Sequence, residues 1–287
     1  MIAHGLSGLI AGCIAMAAVA QARDEAGPPV AWTEPMAPFR ITENIYYVGT
    51  KGIAAYLLTS PQGHILIDGG LPANAAIIER NIATLGFKLS DVRHLLINHA
   101  HYDHAGGLAK LKRDTGATLW AGAGDVPDLE SGRNAGRPEL GSFPSVKVDH
   151  KVRDGEMLKL GPITMKAIAT PGHTKGCTSW QTSAAGKSVL FACSFTVAGQ
   201  NLIDDPQYRT AAADFRATFA KLRKMKADIF LTFHPEFFNM DRKLARRKSG
   251  DANAFVDPGE FGRVISASKA AFVKEIDRQK AARAAEK

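Results

Sequence analysis

The sequence predicts an α/β protein in which two β-sheets pack face to face and helices cover both outer faces. Short apolar strand patterns alternate with amphipathic helix patterns, and this alternation occurs twice, once in each half of the chain. Because each sheet must bury one apolar face, two β-rich halves that each carry helices are expected to share a core between their sheets. We therefore predict a single domain over residues 23–287, with halves at approximately 40–155 and 156–287.

The first half is predicted to hold five strands and three helices. Strands are predicted at Ile41–Val48, Ile53–Thr59, His64–Asp68, Val92–Ile97 and Thr118–Trp120. A helix is predicted over Ala73–Leu85, because Pro72 marks its start and Gly86 its end. Gly107–Arg113 predicts a second helix, and a short third helix is expected after Trp120.

The second half repeats this organisation after a long surface loop. Ser131–Ser145 is rich in Gly, Pro, Ser and Arg, and a loop of this length inside a domain is usually functional or disordered. Strands are then predicted at Met157–Leu160, Ile163–Ala169, Thr178–Thr182, Ser188–Ala192 and Ile229–Phe233. Helices are predicted over Tyr208–Lys226 and from Gly259 onward.

The composition is that of a folded globular protein, with 45% hydrophobic and 22% charged residues. A chain of 287 residues can bury a core without help from a metal, so a bound metal is expected to serve function. The net charge of +8 could attract nucleic acid. No recognition motif or aromatic-interleaved basic groove accompanies it, however, and we expect solvated basic surfaces and no nucleic-acid partner.

The first 22 residues predict a secretory signal peptide and export to the periplasm. They contain no Lys, Arg, Asp or Glu, and Leu6–Ala20 is nearly all apolar or small. Ala20-Gln21-Ala22 fits a small-x-small cleavage site, and the apolar run is too short for a membrane span. Ile10-Ala11-Gly12-Cys13 also fits a lipoprotein box, so a lipid anchor at Cys13 is the alternative. The apolar run continues beyond Cys13, which favours soluble export.

Three histidines and one aspartate lie within the six residues 99–104, directly after a predicted buried strand. Imidazole nitrogen and carboxylate oxygen are the usual ligands of catalytic zinc. Alternate residues of an extended segment point the same way, so His99 and His101 can bind one ion together. Asp103 and His104 follow at the next turn. With nine histidines in the whole chain, this clustering predicts a metal site.

Two further histidines follow predicted strands. His173 comes after the predicted strand Ile163–Ala169, and His234 directly follows the predicted strand Ile229–Phe233. Each alone would more often be an ordinary loop residue. Together with the cluster they give five histidines and one aspartate, enough for two metal ions with coordination positions left for water.

These motifs resemble the metal-binding signature of the metallo-β-lactamase superfamily. The matching segments are HAHYDHAGG at 99–107, TPGHT at 170–174, FHPEF at 233–237 and IDGG at 67–70. The resemblance runs from about Ile41 to His234 and is strongest to class B, subclass 3 (B3). It implies an αββα sandwich of two mixed sheets with two zinc ions per chain. The implied ligands are His99, His101 and His173 for the first ion, and Asp103, His104 and His234 for the second.

The resemblance also implies an activity. A metal-bound hydroxide would hydrolyse the β-lactam ring of penicillins, cephalosporins or carbapenems without a covalent intermediate, giving antibiotic resistance. Asp103 would orient the nucleophile, and Ser194 and Thr196 would bind the substrate carboxylate. Asp68 would hold a ligating imidazole. Turn-forming roles for Asp68, Ser194 and Thr196 remain alternatives. The expected partner is a small β-lactam, without a stable membrane partner, and the protein is expected to be a monomer.

Two other classes of function remain open. Glyoxalase II, lactonases and phosphodiesterases of the superfamily place a metal-bridging aspartate after the PGHT motif, whereas residues 189–195 contain no carboxylate. The nearest, Asp204 and Asp205, lie about ten residues later. A non-catalytic zinc- or nucleic-acid-binding module is the third possibility. Six ligands that leave coordination positions open argue for catalysis instead.

Cys177 and Cys193 are predicted to form a disulfide. Subclass 1 enzymes carry a zinc-binding cysteine near Cys193, but that ligand position aligns with Ser194 here. A one-residue shift in a strand turns the side chain to the opposite face. Once the signal peptide is removed, these two cysteines are the ones that remain, on neighbouring strands of one hairpin. Two free thiols or a Cys193 thiolate ligand are the alternatives.

Overall fold

Two mixed β-sheets face each other in the computed structural model, which describes residues 28–134 and 136–285. The first sheet has the order β1 to β7, with strands β1 Phe39–Thr42, β2 Ile45–Tyr47, β3 Tyr56–Ser60, β4 Gly63–Ile67, β5 Val92–Leu96, β6 Thr118–Gly122 and β7 His150–Val152. The second has the order β12-β11-β10-β9-β8, with strands β8 Met157–Leu160, β9 Ile163–Ala169, β10 Thr178–Ala184, β11 Lys187–Ala192 and β12 Ile229–Thr232. The predicted sandwich is therefore confirmed.

Parallel pairing in both sheets requires crossover connections, and helices supply them. Strands β4 to β7 are parallel, and β11 is parallel to β12, whereas the remaining neighbours are antiparallel. The α-helices are α1 Asn74–Thr84, α2 Tyr102–Ala105, α3 Leu108–Thr115, α4 Val126–Ser131, α5 Ala211–Leu222, α6 Met240–Lys248 and α7 Glu260–Ala285. Short 3₁₀ turns lie at Val30–Trp32, Leu89–Asp91, Ala123–Asp125, Pro138–Leu140 and Pro235–Phe238.

Successive side chains along each strand lie on opposite faces of its sheet. In β3, Tyr56 and Leu58 belong to the core between the sheets, which also contains Trp180 and Phe191 of the second sheet. Leu57 instead packs outward with buried residues of α1 and α3. The period of two along the strand thus supplies both the inner core and an outer face for the helices.

The parallel pairing brings several strand ends to one edge of the sandwich. Strands β4, β5 and β6 of the first sheet end there, and β9, β11 and β12 of the second sheet end at the same place. Every segment predicted to carry metal ligands follows one of these ends. The fold therefore brings residues from positions 68 to 234 to a single site.

Several predicted boundaries were wrong. Ile41–Val48 is a hairpin of β1 and β2, because Glu43 adopts a positive φ of 30° in the turn between them. The helix predicted over Tyr208–Lys226 spans only Ala211–Leu222. Strand β7 and helix α6 were not predicted: β7 has three residues, and α6 buries only Met240 and Lys243.

The predicted signal peptide over residues 1–22, including Cys13, lies outside the described residues. Within residues 28–134 and 136–285, each helix is too short or too polar to cross a membrane.

Candidate metal centre

The six predicted ligands form two groups of three buried residues. His99, His101 and His173 make up the first group, and Asp103, His104 and His234 make up the second. The candidate ligand atoms within each group all lie within 4.8 Å of one another. The groups adjoin, since the ring centroids of His99 and His104 are 4.5 Å apart. The geometry is that of two neighbouring cation sites.

Backbone carbonyls fix the orientation of one histidine in each group. The Nδ1 atom of His173 lies 2.7 Å from the carbonyl oxygen of Thr196, and that of His234 lies 2.8 Å from the carbonyl oxygen of Gly52. A carbonyl oxygen only accepts hydrogen bonds, so both Nδ1 atoms carry a hydrogen and the Nε2 atoms are the ones available to a metal. This is the usual orientation of metal-ligating histidines.

These Nε2 atoms are directed into the two groups. In the first, the Nε2 atom of His173 lies 3.0 Å from the Nδ1 atom of His101. In the second, Oδ2 of Asp103 lies 3.3 Å from the Nε2 atoms of both His104 and His234. Each group thus presents several electron-pair donors to one point in space.

Burial keeps the three imidazoles of the first group neutral. It lowers the pKa of His99 and His101 well below the usual value, and it lowers the pKa of His173 to about 4. Burial alone would raise the pKa of Asp103, but His104 and His234 hold it well below the usual range. Imidazole nitrogens together with an ionised carboxylate are the donor set that zinc takes.

One buried ring nitrogen in the first group is left without a protein partner among the described residues. The Nδ1 atom of His99 has no hydrogen-bond partner in the described part of the chain. Buried polar atoms are normally paired, so an unpartnered nitrogen beside two other imidazoles fits a site that accepts a further group. The residues therefore fit a pair of metal ions.

Asp68 supports the segment that carries the first ligands. It follows β4 in a left-handed conformation with φ of 64°, which Asp tolerates better than most residues. Its carboxylate accepts hydrogen bonds from the backbone N–H of Asn98 at 2.8 Å and from the Asn98 side chain at 3.1 Å. Oδ2 lies 3.9 Å from the Nδ1 atom of His104. Asp68 thus anchors the residue before His99 and approaches an imidazole of the second group.

Ser194 and Thr196 follow β11 at the edge of the first group. Ser194 is buried, and its Oγ atom lies 3.1 Å from the hydroxyl oxygen of Thr196 and accepts the Thr196 backbone N–H. Thr196 is partly exposed and holds His173 through its carbonyl oxygen. Both residues therefore lie beside the first group, and the turn-forming hydrogen bond of the alternative interpretation is also present.

Cys177 and Cys193 form a disulfide with a Cα–Cα distance of 5.9 Å. Cys177 precedes β10 and Cys193 follows β11, so the bond closes the open end of this hairpin. A bonded sulfur offers no thiolate to a metal. Asp204 and Asp205 are also absent from both metal groups: Asp204 pairs with Arg283, and Asp205 accepts the N–H groups of Gln207 and Tyr208.

Two residues near the site were not predicted. Arg137, in the long loop, donates to the carbonyl oxygen of Ala198, and its positive charge acts on His101 and His173. Asp125, after β6, accepts three hydrogen bonds from the two segments that carry the first group. In the sequence Arg137 is one of two arginines in the loop, and Asp125 is typical of a residue that begins a short helix.

The segment over residues 198–207 lies opposite the long loop. The loop and the segment touch where Arg137 contacts Ala198. Gln279 of α7 holds the segment in place, because its side-chain amide donates to the carbonyl oxygen of Gln200 and accepts the backbone N–H of Leu202. The C-terminal helix therefore supports the segment that touches the long loop.

Comparisons with curated proteins give distant relatives. A hydroxyacylglutathione hydrolase of Bradyrhizobium sp. (strain BTAi1) is 26% identical over 199 residues, covering 67% of this chain and 69% of that protein. A UPF0173 metal-dependent hydrolase of Rhizobium meliloti is 32% identical over 108 residues, and the match spans only 44% of its length. In several further relatives, less than half of the length is matched.

Comparisons with solved structures give nearer relatives. BJP-1, a subclass B3 metallo-β-lactamase of Bradyrhizobium japonicum, is 44% identical with a TM-score of 0.84, covering 88% of this chain and 98% of that one. FEZ-1, a metallo-β-lactamase from Legionella gormanii, is 36% identical with a TM-score of 0.83, covering 88% and 99%. A sequence model of the metallo-β-lactamase superfamily matches residues 48–234, which include all six residues of the two metal groups. The chain belongs to the metallo-β-lactamase superfamily, and its structure is similar to those of subclass B3 enzymes.

Proposed function

We propose that this protein is a dinuclear zinc enzyme that hydrolyses the β-lactam ring of penicillins, cephalosporins or carbapenems and so gives antibiotic resistance. One observation carries the proposal. The two adjoining groups contain five histidines and Asp103, and no carboxylate from the end of β11 joins them. The similarity to subclass B3 enzymes over most of the chain supports the same activity.

His99, His101 and His173 would hold one ion, and Asp103, His104 and His234 the other. Two bound zinc ions supply a hydroxide near neutral pH and polarise a carbonyl oxygen. The protein's part is to keep the imidazoles of the first group neutral by burial and to orient His173 and His234 through the carbonyl oxygens of Thr196 and Gly52. These hydrogen bonds fix the orientation of the two ligand side chains without a bound metal ion.

Asp103 is the residue that we assign to orienting the nucleophile. Its Oδ2 atom lies between His104 and His234, and its low pKa keeps it ionised. An ionised carboxylate can accept a hydrogen bond from an attacking water or hydroxide and so hold its lone pair toward the lactam carbonyl. Proximity and orientation of this kind account for large factors in rate.

Substrate binding would use the entrance beside the first group. The carboxylate of a β-lactam is an anion, and Thr196 offers a partly exposed hydroxyl next to His173. Arg137 adds positive charge from the facing loop. Ser194 would act mainly through Thr196, because its own side chain is buried and paired with that hydroxyl.

No acyl-enzyme is required. The hydroxyl of Ser194 contacts Thr196 and not a histidine, so it lacks the adjacent base that activates a serine nucleophile. Hydrolysis would therefore proceed by direct attack of water on the lactam carbonyl. The bond that breaks is the lactam C–N bond, and its nitrogen takes up a proton.

A second candidate function follows from the curated relatives. A hydroxyacylglutathione hydrolase and a metal-dependent hydrolase among them support another metal-dependent hydrolase activity, on a glutathione thioester. The superfamily resemblance adds a lactone or a phosphodiester as candidate substrates. The metal-bridging aspartate that the resemblance implies for such enzymes is absent from residues 189–195, and Asp204 and Asp205 contact other groups. For this reason β-lactam hydrolysis is the activity that we propose.

We also propose that the mature protein is a periplasmic monomer exported through residues 1–22, with a lipid anchor at Cys13 as the alternative. The Cys177–Cys193 disulfide supports an oxidising compartment. Scattered exposure of Val30, Met157 and Val273 in the described residues supports a surface without a large apolar patch. Mass measurement of the exported protein tests the cleavage site, and any lipid remains visible as added mass.

The deciding experiment compares four substrates with the purified zinc-loaded protein. A chromogenic cephalosporin, an aliphatic lactone, an S-acylglutathione and a phosphodiester are assayed side by side. We expect hydrolysis of the cephalosporin and at most trace activity on the other three. Efficient hydrolysis of one of the others without opening of the β-lactam ring would refute the proposal.

A further inference from the structure

Asp125 joins the two chain segments that carry the first metal group. It lies in the 3₁₀ turn after β6 of the first sheet, and only 2% of its surface is exposed. Its Oδ2 atom accepts the backbone N–H of Ala100 at 3.0 Å and the hydroxyl of Thr174 at 2.8 Å. Oδ1 accepts the backbone N–H of Gly176 at 2.6 Å. One carboxylate therefore contacts both segments.

These partners are immediate neighbours of the ligands. Ala100 lies between His99 and His101, and Thr174 directly follows His173. The hydrogen-bonded atoms are mostly backbone atoms, so Asp125 fixes the path of both chain segments. Positions of the three imidazoles relative to one another then depend on this carboxylate.

The backbone around Asp125 approaches the same segment too closely for side chains. A Cβ atom on Gly122 would lie 2.0 Å from the carbonyl oxygen of Gly176, and one on Gly176 would lie 2.3 Å from the backbone nitrogen of Asp125. Glycine is required where two backbones meet at this distance. The end of β6 and the segment after His173 are thus built as one packed unit, with Asp125 at its centre.

We propose that Asp125 is a positioning residue that sets the geometry of the first metal group by holding His101 and His173 at a common point. The proposal rests on the metal sites of the proposed function. It does not depend on which substrate is hydrolysed. Mutation of a residue that hydrogen-bonds to metal ligands, without binding the metal itself, typically lowers metal affinity by about 10- to 100-fold.

The test is a zinc titration of metal-free Asp125→Ala, in competition with a chromophoric chelator. Truncation leaves the N–H groups of Ala100 and Gly176 without an acceptor, so both segments should shift. We expect the affinity of the first group to fall by about 10- to 100-fold and that of the second to stay within about threefold. The double variant Asp103→Asn/Asp125→Ala shows which group has lost affinity. In an Asp103→Asn background only the first group should bind zinc, so any further loss belongs to that group.

Two further variants separate positioning from general stability. Asp125→Asn keeps one acceptor oxygen, but its NH₂ group faces the backbone N–H of Gly176 in one amide orientation and that of Ala100 in the other. Its affinity should lie between those of the wild type and Asp125→Ala. Thr174→Val removes one of the three hydrogen bonds and should weaken the first group by less than about tenfold, which keeps the test usable if Asp125→Ala does not fold.

Asp228→Ala is the matched control. Asp228 accepts the backbone N–H of Ser188 at 2.8 Å and its hydroxyl at 3.0 Å, at the ends of β11 and β12 that lie away from the site. We expect a loss of thermal stability in this variant with both zinc affinities unchanged. Equal zinc losses in Asp228→Ala and Asp125→Ala, or wild-type affinities in Asp125→Ala, would overturn the positioning role alone. Wild-type protein that binds two zinc ions but opens no β-lactam would overturn only the proposed function.

Discussion

The Nε2 atom of His173 lies 3.0 Å from the Nδ1 atom of His101, although 72 positions separate the two residues in the chain. The carbonyl oxygen of Thr196 takes the only hydrogen of the His173 ring, so a lone pair faces His101. Both rings are kept neutral by burial. Two such nitrogens at this distance suit a shared cation better than an isolated hydrogen bond.

Removal of metal should therefore abolish the proposed hydrolysis. Dialysis against a strong chelator is expected to leave a folded, inactive protein, because the core between the sheets does not depend on the site. Addition of zinc should restore turnover of a chromogenic cephalosporin. Clavulanate, which acylates serine enzymes, should not inhibit. Turnover that persists after elemental analysis shows no bound metal would contradict the mechanism.

Asp103→Asn should remove one zinc ion and most of the activity. The amide keeps the shape of the side chain but loses the anionic oxygen that lies between His104 and His234. The first group is unchanged, so we expect about one zinc per chain and a kcat lower by at least about a hundredfold. Elemental analysis and steady-state kinetics measure both effects.

Asp205→Asn is the control for this variant, because Asp205 is a buried acid about ten residues after the segment where related hydrolases place a bridging aspartate. It should retain two zinc ions. Two zinc ions and near-normal turnover in Asp103→Asn would show that another carboxylate binds the second ion.

Arg137→Gln should weaken substrate binding more than catalysis. The guanidinium adds positive charge beside His101 and His173, and the substrates that we propose carry a carboxylate. We expect KM to rise by about three- to tenfold, as for the loss of a partly exposed charge contact, with kcat within about twofold. The increase should shrink at high salt, since ions screen the interaction.

Arg133→Gln is the matched control, because Arg133 lies in the same loop and is exposed. It should leave KM unchanged. Equal effects of the two substitutions would mean that Arg137 contributes only to the general charge of the loop.

The disulfide should stabilise the protein without taking part in catalysis. Cys177 and Cys193 are 16 positions apart, and a loop of this size corresponds to about 3 kcal/mol in the chain-entropy treatment. Cys177→Ala/Cys193→Ala should lower the free energy of unfolding in urea by about this amount while still binding two zinc ions. Protein exported to the periplasm should show no free thiol when titrated under denaturing conditions. Two reactive thiols per chain would rule out the bond.

The sequence was sufficient for the parts of the site that are local. His99 to His104 follow a buried strand within six residues, and their clustering is visible without a structure. His173 and His234 could be added because each follows a strand and because the motifs match the superfamily in order and spacing. The sandwich was predictable for a similar reason, since the strand and helix periods are local properties.

Asp125 and Arg137 could not be found in the same way. Asp125 acts through Thr174, which is 49 positions away, and Arg137 acts through Ala198, which is 61 positions away. The residues next to Asp125 and Arg137 in the sequence do not predict which distant residue each one contacts. Strand β7 was missed because three residues are too few to show a period, and α6 because most of its surface is polar.

The side chain of Gln279 is hydrogen-bonded to both Gln200 and Leu202, so the segment over residues 198–207 is anchored to the C-terminal helix. A substitution in the helix that shifts Gln279 would move this segment while leaving all six residues of the two metal groups intact. If the protein hydrolyses β-lactams as we propose, adaptation to a new antibiotic need not begin beside the metals. Surface changes in the C-terminal helix would then be a route to altered substrate range, and mutant libraries confined to the neighbourhood of the metal groups would overlook it.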